Sequence, residues 1–321
     1  MKKLIKNLLI IFISFAVVDF TIGYVLKNIL RNSPDGRFYK TKYSLESSDE
    51  QIVIYGSSRA EGNFVPKVFE EQLGLSCWNA GRGGQSLPYM YAVNQGVVTR
   101  HAPKIAIINI ESMFLEYEPG NPFFDRAAGL LRPFYQDHDE IHKVINQVSP
   151  AEKYLNYSNF YSFNSSYYYL LRPFAFKGID GKVEDKGWKP KIGSIKPNAY
   201  KANVVNETNQ MDTTLTKLFD EFVSSLVQKN TQVFVVISPD YNEKVISTST
   251  LNYVRKMKNI ILLDHSNDEF FTKNNAFYKD QNHLNKEGAM EFSNEIAKEI
   301  EHHLNSTSTN SHNSLVEVST L

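Results

Sequence analysis

Five short apolar runs constrain this chain most. They are Ile52–Tyr55, Leu75–Asn79, Ile105–Ile110, Val233–Ile237 and Ile260–Leu263. Each is nearly continuous in apolar residues instead of alternating, as strands buried on both faces of a parallel sheet are. Helical patterns separate them, at Pro66–Leu73, Leu87–Arg100 and Thr213–Lys229, and Lys286–Leu304 closes the series. Within Thr213–Lys229, Leu215, Leu218, Phe219, Phe222 and Leu226 recur at helical spacing. Strands separated by helices predict a doubly wound α/β fold, with the ligand outside the carboxyl ends of the strands.

At 321 residues and 42% hydrophobic content, a sizeable core needs neither disulfide nor metal. The formal net charge of zero gives no electrostatic footprint for nucleic acid. The single cysteine, Cys77, lies in the apolar run LSCW and is expected to be buried.

The amino terminus carries a second strong signal. Leu8–Leu26 (LLIIFISFAVVDFTIGYVL) holds one charge, Asp19, and as a helix would be roughly 28 Å long, close to the hydrocarbon thickness of a bilayer. Lys2, Lys3 and Lys6 precede it, which predicts a cytoplasmic amino terminus and a main domain that is periplasmic or extracellular. No small-residue cleavage site ends the run, so a retained signal-anchor within residues 1–35 is expected. Asp19 inside the span costs about 2.5–3.5 kcal/mol on insertion scales, so it is either protonated, paired with a membrane partner helix, or tolerated by an otherwise favourable run, with the partner helix preferred. Residues 305–321 are rich in Ser, Thr and Asn and are expected to form a disordered tail.

The α/β pattern occupies about 48–304 and is interrupted from about 115 to 210. That interval holds Tyr154, Tyr157, Phe160, Tyr161, Phe163, Tyr167, Tyr168, Tyr169, Phe174 and Phe176. It is expected to be an insertion over the ligand edge of the sheet. Its aromatics serve either as core or as a stacking platform for sugar rings.

The stretch IVIYGSSR places two serines at the end of the first strand. A serine hydroxyl needs a base to become a nucleophile, and the base needs an acid to fix its tautomer. Among eight histidines, His283 has suitable company: DQNHLN sets Asp280 three residues before it, just ahead of the closing helix. Bland roles compete at each position. Ser57 or Ser58 can cap the following helix, Asp280 can turn the chain, and Arg59 can pair with an internal acid or an anionic substrate. Glu111 and Glu116 give a faint hint of glycosidase carboxylates. GRGG lacks the spacing of a dinucleotide loop.

GSSR after the first strand, NAGRGGQS after the second and DQNHLN before the last helix together resemble the SGNH (GDSL-type) hydrolase superfamily. The resemblance implies a three-layer α/β/α, flavodoxin-like fold. It implies Ser58 as nucleophile, with Ser57 where the family usually has Asp, and Asp280 and His283 as its partners. The amides of Ser58 and Gly84 would form the oxyanion hole, while Ser57, Arg59 and Asn79 are candidate substrate contacts. No metal or cofactor is implied. One block departs: IAIINIESMF puts Glu111 and Ser112 where the family has Gly-x-Asn-Asp, and Asn109 falls inside the strand. The Ser-for-Asp change together with an anchor is similar to divergent SGNH-like proteins acting on cell-envelope polymers. The expected activity is that of a serine esterase or O-acyltransferase on acyl esters of an envelope polysaccharide. A catalytically inactive glycan-binding or assembly protein is the alternative.

Overall fold

The computed structural model describes all residues except 34, 121, 165, 177–184, 198–208, 243–245 and 319–321, and side chains only to residue 306 in the closing helix. Parts of the insertion and the end of the tail therefore lie outside the described residues. The chain forms two compact units.

The unit made of residues 49–84, 102–118 and 184–321 contains a five-stranded, wholly parallel sheet. Its strands are β1 (Ile52–Tyr55), β2 (Cys77–Asn79), β3 (Ile105–Asn109), β4 (Gln232–Ile237) and β5 (Ile261–Asp264), in the order β2-β1-β3-β4-β5. This is the flavodoxin-like order, whose direction reverses between β1 and β3. Side chains alternate between the two faces. Ile52, Ile54, Ile107, Phe234 and Val236 form one core with Phe64, Phe69 and the closing helix's Phe292, Ile296 and Ile300. On the other face Tyr55 meets Phe222 of helix Thr213–Val227 edge-on, at 5.2 Å between centroids. Helices thus cover both faces, as the sequence pattern predicts.

Two boundaries differ from the expectation. β5 is only half-buried and ends on exposed Asp264. The closing helix runs Lys286–Val318, into the segment expected to be a disordered tail. Once Lys286–Leu304 is packed, each further residue extends an existing helix without paying for a new nucleus. Cys77 is fully buried. Burial first, then the carboxylates of Glu70 and Glu50, pushes its thiol well above the ordinary value.

The unit made of residues 1–48, 85–101 and 119–183 collects the amino-terminal helix, helix Leu87–Arg100 and the stretch of the insertion that holds its run of aromatics from Tyr154 to Phe176. Leu87–Arg100 follows β2 in the chain but is tied into this unit. Arg100 donates to the carbonyls of Leu45 (2.7 Å), Ser48 (3.0 Å) and Ser44 (2.9 Å). Among the described residues, helix Lys2–Asn32 alone is long and apolar enough to cross a membrane.

Asp19 meets its own chain, not a separate partner helix. Its carboxylate accepts from Ser158 Oγ (2.8 Å), Phe160 N (2.9 Å), Asn159 N (3.0 Å) and Asn159 Nδ2 (3.2 Å). These donors open the short helix Asn159–Ser162, whose first amides would otherwise lack acceptors.

In the sheet-bearing unit, buried His265 lies 3.3 Å from both Asp268 and Glu299. Burial alone would lower its pKa, but the hydrogen bonds and charges of Glu299 and Asp268 outweigh that and raise it. A raised folded pKa contributes stability that is fully present below the unfolded value, about 6.5, and is lost as pH rises through the folded value. Urea unfolding midpoints should therefore fall between about pH 6 and pH 8. His265→Gln should flatten that decline, and an unchanged slope in the variant would remove this contribution.

Candidate active site

β1 ends at Gly56, whose φ of +154° is poorly suited to any residue with a side chain. A Cβ there would also lie 2.5 Å from Ala60 Cβ and 3.1 Å from the Asn109 carbonyl oxygen. Glycine thus lets the chain turn sharply between β1 and β3 into helix Ser58–Asn63. Ser57 caps that helix, its Oγ accepting from Arg59 N at 3.2 Å. Ser58 stands at its first position.

His283 reaches Ser58 from the loop before the closing helix. Asp280 Oδ1 gathers the backbone amides of Asn282 (3.1 Å) and His283 (3.0 Å) and lies 2.8 Å from His283 Nδ1. A carboxylate oxygen only accepts, so Nδ1 carries the hydrogen and Nε2 presents a lone pair. Ser58 Oγ lies 2.8 Å from that Nε2 and donates to it. The structure thus brings together the three residues singled out in the sequence, joined by two hydrogen bonds of ordinary length. The loop is fixed to the helix that carries Ser58 by Leu284 N, which donates to Asn63 Oδ1 at 3.1 Å.

The loop after β2 runs beside Ser58. Arg82 N donates to the Gly56 carbonyl (2.9 Å) and Gly83 N to Glu61 Oε2 (3.1 Å). A Cβ on Gly83 would sit 3.7 Å from Ser58 Cβ. Gly84, with φ +74°, follows directly.

The three blocks that carry the resemblance to the SGNH superfamily therefore lie together in space. The Gly-x-Ser block ends the first strand, the Asn-to-Gly block follows the second, and the Asp-x-x-His block meets the serine from before the last helix. No protein-family model and no curated protein matches the chain. Among solved structures, it is similar to a protein assigned to the G-D-S-L lipolytic family from Desulfitobacterium hafniense DCB-2. That match has 13% identity and a TM-score of 0.39, covering 77% of this chain and 98% of that one. A two-domain esterase active on acetylated mannans matches at 13% identity and a TM-score of 0.37. There the match covers 83% of this chain and 53% of the esterase, about half its length.

All three candidate substrate contacts, Ser57, Arg59 and Asn79, are engaged internally. Arg59 is buried, 2.6 Å from Asp240 Oδ1, and donates to the carbonyls of Ser238 (2.7 Å) and Pro239 (3.0 Å). Its alternative as an anion ligand fails because the end of β4 occupies the guanidinium. Asn79 is fully buried; its amide donates to the Ala60 (2.7 Å) and Phe64 (2.8 Å) carbonyls and its oxygen accepts from Gly81 N (3.0 Å). Ser57 donates its hydroxyl hydrogen to Glu111. Glu116 is likewise consumed, by Ser247, Thr250 (3.1 Å) and Asn209 (2.6 Å), so no glycosidase pair stands here.

Sequence reasoning missed Asn63, Glu61 and Asp240. No motif marks them, and their importance comes from contacts between segments far apart in the chain. Gly56→Ala tests the turn most directly. It should destabilise the fold by about 2 kcal/mol or more, through forbidden backbone geometry and overpacking against Ala60. A urea curve within about 0.5 kcal/mol of wild type would contradict this account.

Proposed function

We propose that this chain is a membrane-anchored SGNH-like serine esterase or O-acyltransferase. The observation that carries the proposal is the continuous set Ser58 Oγ, His283 Nε2 and Asp280 Oδ1, with 2.8 Å at each link. Ser58 Oγ attacks the ester carbonyl carbon while its proton passes to His283 Nε2. The carbonyl electron pair moves to oxygen and is received by the Ser58 and Gly84 amides. Collapse expels the alcohol, which takes the proton from His283 and leaves an acyl group on Ser58. A second hydroxyl, from water or from a sugar, then gives its proton to His283 and attacks the acyl carbon. The product is a carboxylic acid or a new ester, and Ser58 regains its proton. Asp280 remains ionised throughout, orienting the ring and stabilising the imidazolium.

The substrate class follows from the anchor. With Lys2, Lys3 and Lys6 cytoplasmic, the catalytic unit faces the periplasm or the cell exterior, where O-acyl groups on envelope polysaccharide are available esters.

The full chain in detergent, treated with a fluorophosphonate, should gain one adduct on Ser58 by intact mass. The adduct should vanish in Ser58→Ala and His283→Ala. Turnover of an activated ester should fall on the order of 10⁴-fold in Asp280→Asn, which keeps the shape but loses the charge that sets the tautomer. A folded wild-type protein that takes no adduct would sink the enzyme reading and leave a glycan-binding or assembly role.

A further inference from the structure

The contacts of Asp19 set a depth for part of the insertion. The four donors from Ser158, Asn159 and Phe160 hold the start of helix Asn159–Ser162 level with residue 19. One turn nearer the amino terminus, Phe160 stacks on Phe15 with centroids 6.0 Å apart and planes 23° apart. One turn farther out, a Cβ on Gly23 would run into the side chain of Asn159. The segment is therefore pressed along the helix from Phe15 to Gly23.

With Lys6 at the cytoplasmic interface, Phe15 lies roughly 14 Å and Asp19 roughly 20 Å along the axis, both inside a hydrocarbon core of about 30 Å. Backbone at that depth needs all its polar groups satisfied. Asp19 answers that need for Asn159 N and Phe160 N, and in return its own charge is enclosed by donors, leaving the residue 7% exposed.

The outward faces are apolar. Tyr157, adjoining this segment, is 77% exposed, as is Phe20 on the anchor. Helix Tyr167–Ala175 exposes Tyr168, Leu171 and Phe174 at a spacing of three, while Leu170 and Pro173 are buried. Pro173 packs on Gly36, just beyond the anchor's outer end. An aromatic and aliphatic face at that level matches the composition of membrane interfaces, where tyrosine keeps an apolar body in lipid and a polar tip in water.

We infer that the aromatic insertion is a lipid-facing collar on the anchor helix. Residues 157–162 enter the hydrocarbon, and helix Tyr167–Ala175 lies in the interface above them. This rests on the reading of Lys2–Asn32 as a membrane anchor, and it replaces a glycan platform as the role of these exposed aromatics.

The test uses the full chain in phosphatidylcholine–phosphatidylglycerol vesicles, with a nitroxide on Tyr157→Cys, Leu171→Cys, Ser14→Cys or Met290→Cys. Cys77 is fully buried and stays unlabelled. Collision with dissolved oxygen against a water-soluble nickel chelate reads depth. Position 157 should match position 14, favouring oxygen over nickel several-fold relative to position 290, with position 171 intermediate. If position 14 is lipid-exposed but 157 and 171 behave like 290, the collar is overturned and the anchor stands. If position 14 also behaves like 290, the anchor reading falls and the collar with it. Two collar positions guard against one label disturbing its own site.

Discussion

Helix Ser58–Asn63 cannot stand alone, and the site depends on what holds it. Six residues are too few to repay helix nucleation in water, and the carbonyls of its last turn have no partners within the helix. Each is met from elsewhere. Asn79 Nδ2 donates to Ala60 O and Phe64 O, Lys189 N to Glu61 O at 2.9 Å, Trp188 Nε1 to Gly62 O at 2.8 Å, and Ser293 Oγ to Asn63 O at 3.3 Å. Leaving any one buried and unmet would cost about 1–3 kcal/mol. The short helix that presents Ser58 is thus fastened by the loop after β2, by the segment returning from the insertion and by the closing helix.

That arrangement explains which parts of the fold were legible in the sequence. β1, helix Pro66–Leu73 and helix Leu87–Arg100 lie where apolar periodicity and a leading Pro or a trailing Gly put them, because those signals act locally. The pairing of Asp280 with His283 was legible through local spacing before the last helix, while the choice of Ser58 over Ser57 came from the resemblance to the SGNH superfamily. Asn79 was given an outward-looking role, and Arg59 stood between an internal acid and an anionic substrate, because a polar residue in a loop gives no local sign of what will surround it. Asn79 faces the carbonyls of Ala60 and Phe64, at the end of helix Ser58–Asn63, and Arg59 faces a carboxylate about 180 positions away. Asp19 was ambiguous for the same reason. A charge in an apolar run announces a partner but not that the partner is residues 158–160 of the same chain.

The end of β4 supplies a second fastening whose logic is electrostatic. Arg59 and Asp240 are both nearly inaccessible to water, so neither charge is tolerable without the other. The pair contributes little net stability over an apolar substitute, yet breaking it by removing one partner leaves an unpaired buried charge at a cost of about 3–5 kcal/mol. It therefore fixes geometry more than it adds stability. It allows only arrangements in which the residue after Ser58 reaches across to β4, which sets the rotation of the helix and the direction of Ser58 Oγ.

The two adjacent serines show how the same loop separates roles between identical side chains. A hydroxyl has one hydrogen to donate. Ser57 gives its hydrogen to Glu111, at the end of β3, and uses its oxygen to accept from Arg59 N. Its donor is thereby committed to the framework. Ser58, one residue on, points its hydroxyl to His283 Nε2. Glu111 stands where the family resemblance calls for a different motif, and it has a contact of its own. By taking the hydrogen of Ser57, it joins the ends of β1 and β3 at the point where strand order reverses. Of the pair, Ser58 is left as the hydroxyl whose proton a base can remove.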